Sequence, residues 1–469
     1  MTSGINFWDN SVWGFVVILA VLLGSMLIAN ALRRMIKALR KTLIPSSVLA
    51  GFLVLIVGGV WKKVTGSDML DKNTLEELTY HGLGLGFVAL ALRSMEKQKG
   101  KKARQDIFST SVVVVNTYLL QGFTGLAITI VLYYIMNSFF ASGALLPMGY
   151  GQGPGQAYNW GHNFEALGFE NGASFGLTVA ACGFIAASVG GVIYLAHLRK
   201  TGRVRIIENA EEIERITAET YQKPGEIPLS ESVDKLTVQF ALVFIAYGIS
   251  YLIMYIVHSL CSGIPFYDNT VCSLMWGFNF LLGTAVAILI KNGLAYLRRK
   301  GLVKRAYTND FMLNRISGAM FDIMVVASIA AINLDAFKNR AFWLPLLLIC
   351  VIGSIVTFIY VKAVSKRLFP DYVNEAFLSL YGMLTGTAST GVILLREIDP
   401  TFDTPASSNL IFQSLWAILL GFPMLLMMGY VGQSPKLALI CFGLMIVLFI
   451  GMNLLMLRKQ IFRKKENKK

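Results

Sequence analysis

The stretch Met148–Gly161, MGYGQGPGQAYNWG, is polar and rich in glycine, yet it lies between apolar segments. A second interruption, Tyr381–Gly391 (YGMLTGTASTG), lies in the other half of the chain. Lipid offers no hydrogen-bond partner to bare backbone groups, so irregular backbone at membrane depth must be packed in protein or line a wet cavity. Two such interruptions, one in each half, are typical of the binding site of a secondary transporter.

Composition predicts an all-α polytopic membrane protein, because the 469 residues are 55% hydrophobic and the mean hydropathy is +0.60. The net charge of +15 marks cytoplasmic loops in such a protein, so no nucleic-acid partner is expected. No basic stretch precedes the first apolar run, which predicts a retained anchor and not a cleaved signal peptide. Cys261 and Cys272 flank one short loop, where a disulfide could form.

A membrane-spanning helix needs about 20 apolar residues. The chain has eleven runs that we interpret as spans: Val12–Leu32, Ile44–Trp61, Leu78–Leu92, Phe108–Met136, Ser174–Leu198, Leu236–Leu260, Val271–Ile290, Phe311–Leu334, Phe342–Val364, Leu410–Tyr430 and Leu437–Leu457. The glycine-rich regions 139–169 and 372–398 remain between them.

The distribution of Lys and Arg indicates how those two regions cross the membrane. If each region dips in and returns on the same side, every strongly basic loop falls on one side. If each crosses once, the basic loops Arg93–Arg104 and Lys291–Arg305 fall on opposite sides. The positive-inside rule therefore favours two re-entrant hairpins, with the N-terminus outside and the C-terminus inside.

The same order of elements occurs twice, in opposite orientation, which predicts two inverted repeats. Residues 1–198 form the first repeat with hairpin 139–169, and residues 236–434 form the second with hairpin 372–398. Residues 199–235 are predicted to be a cytosolic linker, and residues 435–469 an extra transmembrane helix with a basic tail.

Motifs of the common enzyme classes do not occur in the sequence. It has no GxxxxGK[ST] phosphate loop, no HExxH and no GxSxG. Its four histidines are not spaced as a metal-binding pair. We therefore expect neither an enzyme nor an ATP-driven motor.

The first hairpin offers glycine backbone and side-chain amides for substrate binding. Glycine allows close backbone approach, and bare N–H groups can hold an anion. The candidate substrate-binding residues here are Gly151, Gln152, Gly153, Gly155, Gln156 and Asn159. The alternative is a hairpin tip that needs glycine only for tight packing.

The second hairpin offers hydroxyls and freed carbonyls, which are hard oxygen ligands. Candidate substrate ligands are Thr387, Ser389 and Thr390, and candidate Na⁺ ligands are Thr385, Gly386 and Thr387. The alternative is that the hydroxyls bond back to their own helix. Asp322 lies inside an apolar span and is a further Na⁺ candidate. A structural ion pair or a protonated, hydrogen-bonded carboxyl is the alternative for Asp322.

Other polar residues in apolar surroundings predict structural roles. Asn116 and Gln121 on one long span predict hydrogen bonds between helices. Asn333 and Asp335 at the end of another span predict an interfacial cap.

These motifs resemble the bacterial sodium:glutamate symporter family over Ile44–Met428. The hairpin GYGQGPGQAYNW and the following helix resemble that family's GGHGT–AAW hairpin and its ATFGL–GGLIGG helix. IPSSVLAGFL is similar to its IPxPVxGG segment, and YGMLTGTAST occupies the position of its GFGLGATPTA loop. The resemblance implies Na⁺-coupled glutamate uptake by a homodimer in the bacterial inner membrane. It places Gly151, Gly153, Gly155, Gly386, Thr387 and Thr390 in the two loops.

Three classes of function remain open from the sequence. The first is a Na⁺-coupled symporter for glutamate or a related carboxylate or amino acid. A proton-coupled carrier, in which Asp322 titrates, is the alternative within that class. The second class is a passive channel formed by the hairpins. The third class is a membrane sensor or scaffold that transports nothing.

Overall fold

The computed structural model describes residues 8–93, 100–201, 234–265, 267–303, 305–399 and 403–466. Within those ranges every regular element is helical. The first helices are α1 (Asn10–Met35), α2 (Lys37–Lys41), α3 (Ser46–Thr65), α4 (Lys72–Leu92), α5 (Lys101–Met136), α6 (Leu145–Pro147), α7 (Pro154–Glu165) and α8 (Gly172–Lys200). They are followed by α9 (Lys235–Cys261), α10 (Cys272–Gly277), α11 (Asn279–Arg299), α12 (Asp310–Ala330), α13 (Arg340–Leu368), α14 (Val373–Thr385), α15 (Ala388–Arg396), α16 (Ala406–Phe412), α17 (Ser414–Val431) and α18 (Pro435–Glu466).

Nine of the described helices are long and apolar enough to cross a membrane. They are Val12–Met35, Ser46–Thr65, Lys102–Met136, Gly172–Lys200, Lys235–Cys261, Asn279–Arg299, Asp310–Ala330, Arg340–Leu368 and Pro435–Met456. The chain is thus an all-helical, multi-pass membrane protein.

The two other predicted spans do not meet that criterion. The predicted span Leu78–Leu92 is the apolar part of α4, which begins with the polar segment KNTLEE. The predicted span Leu410–Tyr430 is divided into α16 and α17, and its apolar part Trp416–Val431 is short. A further break at Phe278 divides α10 from α11.

The described residues form two compact units. The first unit contains residues 8–76, 100–201 and 325–466 apart from 400–402, and the second contains 77–93 and 234–324 apart from 266 and 304. Most of the predicted linker 199–235 lies outside the described residues.

Aromatic side chains form the core of the first unit around α14. Phe377 and Tyr381 stack with ring centroids 5.6 Å apart, and Phe358 on α13 meets both rings edge-on. Buried rings of this kind contribute large apolar areas and favourable edge-to-face contacts. The core therefore holds α14 firmly against α13.

The second unit has its own core of small and branched side chains. Val88 and Leu92 on α4 pack with Val243 and Ala246 on α9 and with residues of α11 and α12. The cysteines of its loop, Cys261 and Cys272, are free thiols, so the disulfide that the sequence allowed is not formed.

Candidate functional site

The first hairpin is irregular up to Gly153 and helical after it. A 3₁₀ turn at Ser142–Ala144, the short α6 and a π turn at Met148–Gln152 form the first limb. Gly153 has φ +90°, a backbone conformation that residues with a side chain rarely adopt, and this glycine ends the first limb. Pro154 then begins α7, where its missing N–H costs nothing. The first N–H groups of α7, which have no earlier carbonyl in their own helix, therefore belong to the hairpin tip.

The second hairpin consists of two short helices that turn back at Gly386. A Cβ at Gly382 would lie only 2.7 Å from Cα of Gly391, so α14 and α15 touch through glycine. Thr387 is the N-cap of α15, and its hydroxyl accepts a long 3.5 Å hydrogen bond from the Thr390 N–H.

The hydroxyl of Thr385 forms a hydrogen bond to its own helix, which is the structural alternative given above for the hydroxyls of the second hairpin. It donates to the Tyr381 carbonyl at 2.7 Å. Its oxygen keeps accepting capacity, because a hydroxyl carries two lone pairs. Thr385 can therefore serve both the helix and a cation.

A stripe of small residues along α8 supports both hairpins. Its members are Gly172, Gly176, Ala180, Gly183, Ala187, Gly190 and Gly191, and all are buried. A Cβ at Gly176 would clash with the Ala157 carbonyl of α7, and one at Gly190 would clash with the Tyr381 ring of α14. Small residues let helix backbones approach closely, as they do in membrane proteins generally. The first half of α8 thus carries α7, and its second half carries α14.

The two hairpin tips meet above the middle of α8. A Cβ at Gly153 would lie 3.6 Å from Cγ2 of Thr387, so the two tips are close neighbours. A Cβ at Gly183 would clash with the Thr385 carbonyl and would lie 3.0 Å from the Tyr150 ring. Gly183 is therefore the point at which both tips rest on one helix.

Helix α5 holds the backbone of both tips through two side chains. The Tyr118 hydroxyl donates to the Gly151 carbonyl at 2.9 Å. One turn later, the Gln121 amide donates to the Leu384 carbonyl at 2.8 Å and to the Thr357 hydroxyl at 3.0 Å. Gln121 makes the predicted bond between helices, whereas the role of Tyr118 was missed in the sequence. The only sequence signal was its spacing of three residues from Gln121.

The predicted site residues differ in burial. Gly153, Gly155, Gln156, Asn159, Thr385, Gly386 and Thr390 are buried; Gly151, Gln152 and Thr387 are half-buried, and Ser389 is exposed. All of these residues lie in the first unit. Asp322 lies on α12 in the second unit, and its side chain is exposed.

The structural roles predicted for other polar residues are confirmed. The Asn333 side chain accepts from the Asp335 N–H at 3.1 Å, which is a helix cap. Asn116 on α5 donates to the Tyr360 hydroxyl on α13 at 2.7 Å. These hydrogen bonds stabilise the fold and include none of the candidate site residues.

The backbone at the tips suits ligands of both signs. The N-terminus of α7 carries the positive end of a helix dipole, and the C-terminus of α14 carries a negative end. An anion would be stabilised at the first and a cation at the second. No cluster of His, Cys, Asp or Glu that could hold a transition metal occurs in the described part of the chain.

Nine apolar helices within the described ranges, together with two helical hairpins whose polar tips are unwound, are features typical of a membrane transporter. A family model described as sodium/glutamate symporter matches residues 12–398, so the chain belongs to the sodium/glutamate symporter family. The match includes both hairpins and ends before α16. Comparisons with curated proteins and with solved structures find no match.

Proposed function

We propose that the protein couples the inward flow of Na⁺ to the uptake of glutamate or a related small carboxylate or amino acid. The proximity of Gly153 to Thr387 supports this function most directly. The N-cap of α7 therefore lies beside the N-cap of α15, one residue after Gly386, the C-cap of α14. A carboxylate and a cation can then bind side by side.

In this proposal the substrate carboxylate binds to the N–H groups that begin α7. Gly153 and Gly155 leave room for it, and the amides of Gln152, Gln156 and Asn159 orient it. The hydroxyls of Thr387, Ser389 and Thr390 serve the polar groups at the other end of the substrate.

The coupling Na⁺ binds to oxygens of the second hairpin. The ligands are the freed carbonyls at Thr385 and Gly386 and the hydroxyl of Thr387. Its charge favours the carboxylate beside it, and the carboxylate favours Na⁺ equally, because coupling between two binding sites is reciprocal. Asp322 belongs to the other unit, and its contribution to Na⁺ binding is a separate prediction.

Alternating access follows from two inverted repeats with one re-entrant hairpin each. We infer an outside N-terminus and an inside C-terminus from the positive-inside rule. From the resemblance of the hairpin motifs to the symporter family, we also infer a homodimer in the bacterial inner membrane.

The decisive experiment is uptake of labelled L-glutamate into proteoliposomes. We expect accumulation above the outside concentration with an inward Na⁺ gradient, and none when choline replaces Na⁺. Accumulation driven by a proton gradient alone would show that glutamate uptake is coupled to protons and not to Na⁺. Flux that never exceeds equilibration would indicate a channel.

A further inference from the structure

A second polar region lies at the start of α5 in the first unit, apart from the hairpin tips. It is a pocket of about 430 Å³ lined by Lys102, Gln105, Asp106 and residues 368–372. Lys102 and Asp371 form an exposed ion pair at 2.7 Å. Asp106 is half-buried, and its Oδ2 accepts a 2.9 Å hydrogen bond from the Tyr372 hydroxyl.

A smaller cavity of about 10 Å³ lies behind the Tyr372 ring. It shares Phe369 and Tyr372 with the pocket and is also lined by Thr110, Ser379 and Asn409. A space of this size holds one water or one small ion and is far too small for an amino acid. The ligand of the inner cavity must therefore be a single small species.

Asn409 is the strongest indication of a ligand. Its side chain is 3% exposed, and its amide donates to the Tyr372 hydroxyl at 3.0 Å. Its Oδ1 is buried and accepts no hydrogen bond from any residue that the structure describes. A buried amide oxygen without a donor lowers stability, and such groups are rare in native proteins. A bound cation would satisfy it.

Two more amide oxygens continue this pattern toward the tip of the second hairpin. Gln413 lies one turn beyond Asn409, and its Nε2 is 3.6 Å from Sδ of Met383 on α14. The Gln121 amide donates a hydrogen bond to the carbonyl of Leu384, the residue after Met383. Within the described ranges, Oε1 of both glutamines is buried without a donor. The buried oxygens thus follow α14 from the pocket to the proposed Na⁺ site.

We propose a second Na⁺ site formed by the Asp106 carboxylate, the Tyr372 hydroxyl and Asn409 Oδ1, through which Na⁺ leaves the hairpin tip. Na⁺ is a hard cation that prefers oxygen ligands. The three residues are neighbours, because the Tyr372 hydroxyl donates to Asp106 Oδ2 at 2.9 Å and accepts from Asn409 Nδ2 at 3.0 Å. The carboxylate supplies the charge that a neutral amide and hydroxyl lack. The direction of Na⁺ flow in this inference depends on the proposed symport.

The test is equilibrium binding of ²²Na⁺ to the purified protein without glutamate. The unsubstituted protein should bind Na⁺ in two components. Asp106→Asn and Asn409→Leu should both remove the same component, the one that belongs to the second site. Thr387→Val should weaken the other component, which belongs to the site at the hairpin tip. Asn116→Leu is the matched control. Asn116 is also a buried amide whose Oδ1 has no donor among the described residues, but its Nδ2 bonds to Tyr360 and not to Tyr372.

Asn409→Asp keeps an oxygen at the same place and adds a negative charge, so the dissociation constant for Na⁺ at the second site should fall at least threefold. It decides the question if Asn409→Leu fails to fold. Binding by Asp106→Asn and Asn409→Asp that matches the unsubstituted protein would overturn the proposal, as would a protein that binds no Na⁺. Failure of the symport is seen separately, as absent Na⁺-driven glutamate uptake by the unsubstituted protein.

Discussion

The Tyr118 hydroxyl donates a 2.9 Å hydrogen bond to the Gly151 carbonyl, so one side chain of α5 fixes the tip of the first hairpin. The Gly151 backbone lies directly on the Tyr118 ring, where a Cβ at Gly151 would clash. The ring and the hydroxyl therefore position the backbone on which the substrate is proposed to bind.

Tyr118→Phe keeps the ring and removes that hydrogen bond. Because one buried hydrogen bond is worth about 1 kcal/mol, we expect the KM for glutamate to rise roughly fivefold. Uptake kinetics in proteoliposomes measure this change. Tyr134→Phe is the control, since Tyr134 is 70% exposed on the same helix. An equal effect of both substitutions would show that the Gly151 bond does not position the substrate site.

Gly183→Ala should separate the tips from α8. The added Cβ clashes with the Thr385 carbonyl, which is backbone and cannot rotate away. Overpacking of this kind costs about 1–3 kcal/mol, so we expect lower thermal stability and loss of Na⁺-dependent uptake. Gly443→Ala on α18, where a Cβ would meet nothing within 4 Å, should leave both unchanged. Normal uptake by Gly183→Ala would contradict the site geometry.

Thr387→Val and Thr387→Ser separate the hydroxyl from the methyl group. Valine removes the proposed Na⁺ ligand and the cap of α15, and a lost cap alone costs about 1 kcal/mol. We expect the Na⁺ concentration for half-maximal uptake to rise about tenfold in Thr387→Val, equivalent to 1.4 kcal/mol. Thr387→Ser keeps the oxygen and should remain within about twofold of the unsubstituted protein. Similar Na⁺ dependence of the two variants would exclude the hydroxyl as a ligand.

Asp322→Asn tests the carboxylate on α12. If Asp322 contributes to Na⁺ binding, the neutral amide should weaken the Na⁺ dependence of uptake while the protein still folds. The measurements are the Na⁺ titration of uptake and the melting temperature of the purified protein. Unchanged Na⁺ affinity would assign Asp322 a structural role.

The His162–Glu165 pair at the end of α7 should make stability depend on pH. Nδ1 of His162 lies 3.4 Å from Oε2 of Glu165. The hydrogen bond to Glu165 raises the pKa of His162 above its usual 6.5. Burial opposes ionisation of Glu165, but the hydrogen bonds from His162 and the Ala173 N–H hold its pKa below 4.5. Both side chains are therefore charged between pH 4.5 and pH 6.5.

The contribution of His162 is present below pH 6.5 and is lost as the pH rises through its raised pKa. That of Glu165 is present above pH 4.5 and is lost as the pH falls through its lowered pKa. Because His162 is exposed and Glu165 is only half-buried, solvent screens the pair and the effect should be at most about 1 kcal/mol. The difference in melting temperature between the unsubstituted protein and His162→Gln should shrink from pH 6 to pH 9. A constant difference would show that the ion pair does not contribute.

The helices and their two interruptions were predictable because local rules determine them. Gly153 and Pro154 mark the break in the first hairpin, and Gly386 marks that in the second. The cap at Asn333 is equally local, since its partner is two residues away. The breaks in two predicted spans were missed, because hydropathy averages over a window and does not register a single kink such as that at Phe278.

The sequence by itself determined an all-helical membrane protein with polar interruptions in both halves, since apolar length and glycine conformations act within a few residues. Only the tertiary structure decided that Gly153 lies near Thr387, that Gly183 supports Thr385, and that Gln121 bonds to Leu384. These contacts join residues far apart in the chain. They depend on how close α8 and α5 can approach the hairpins, which is a property of packed surfaces and not of any single segment.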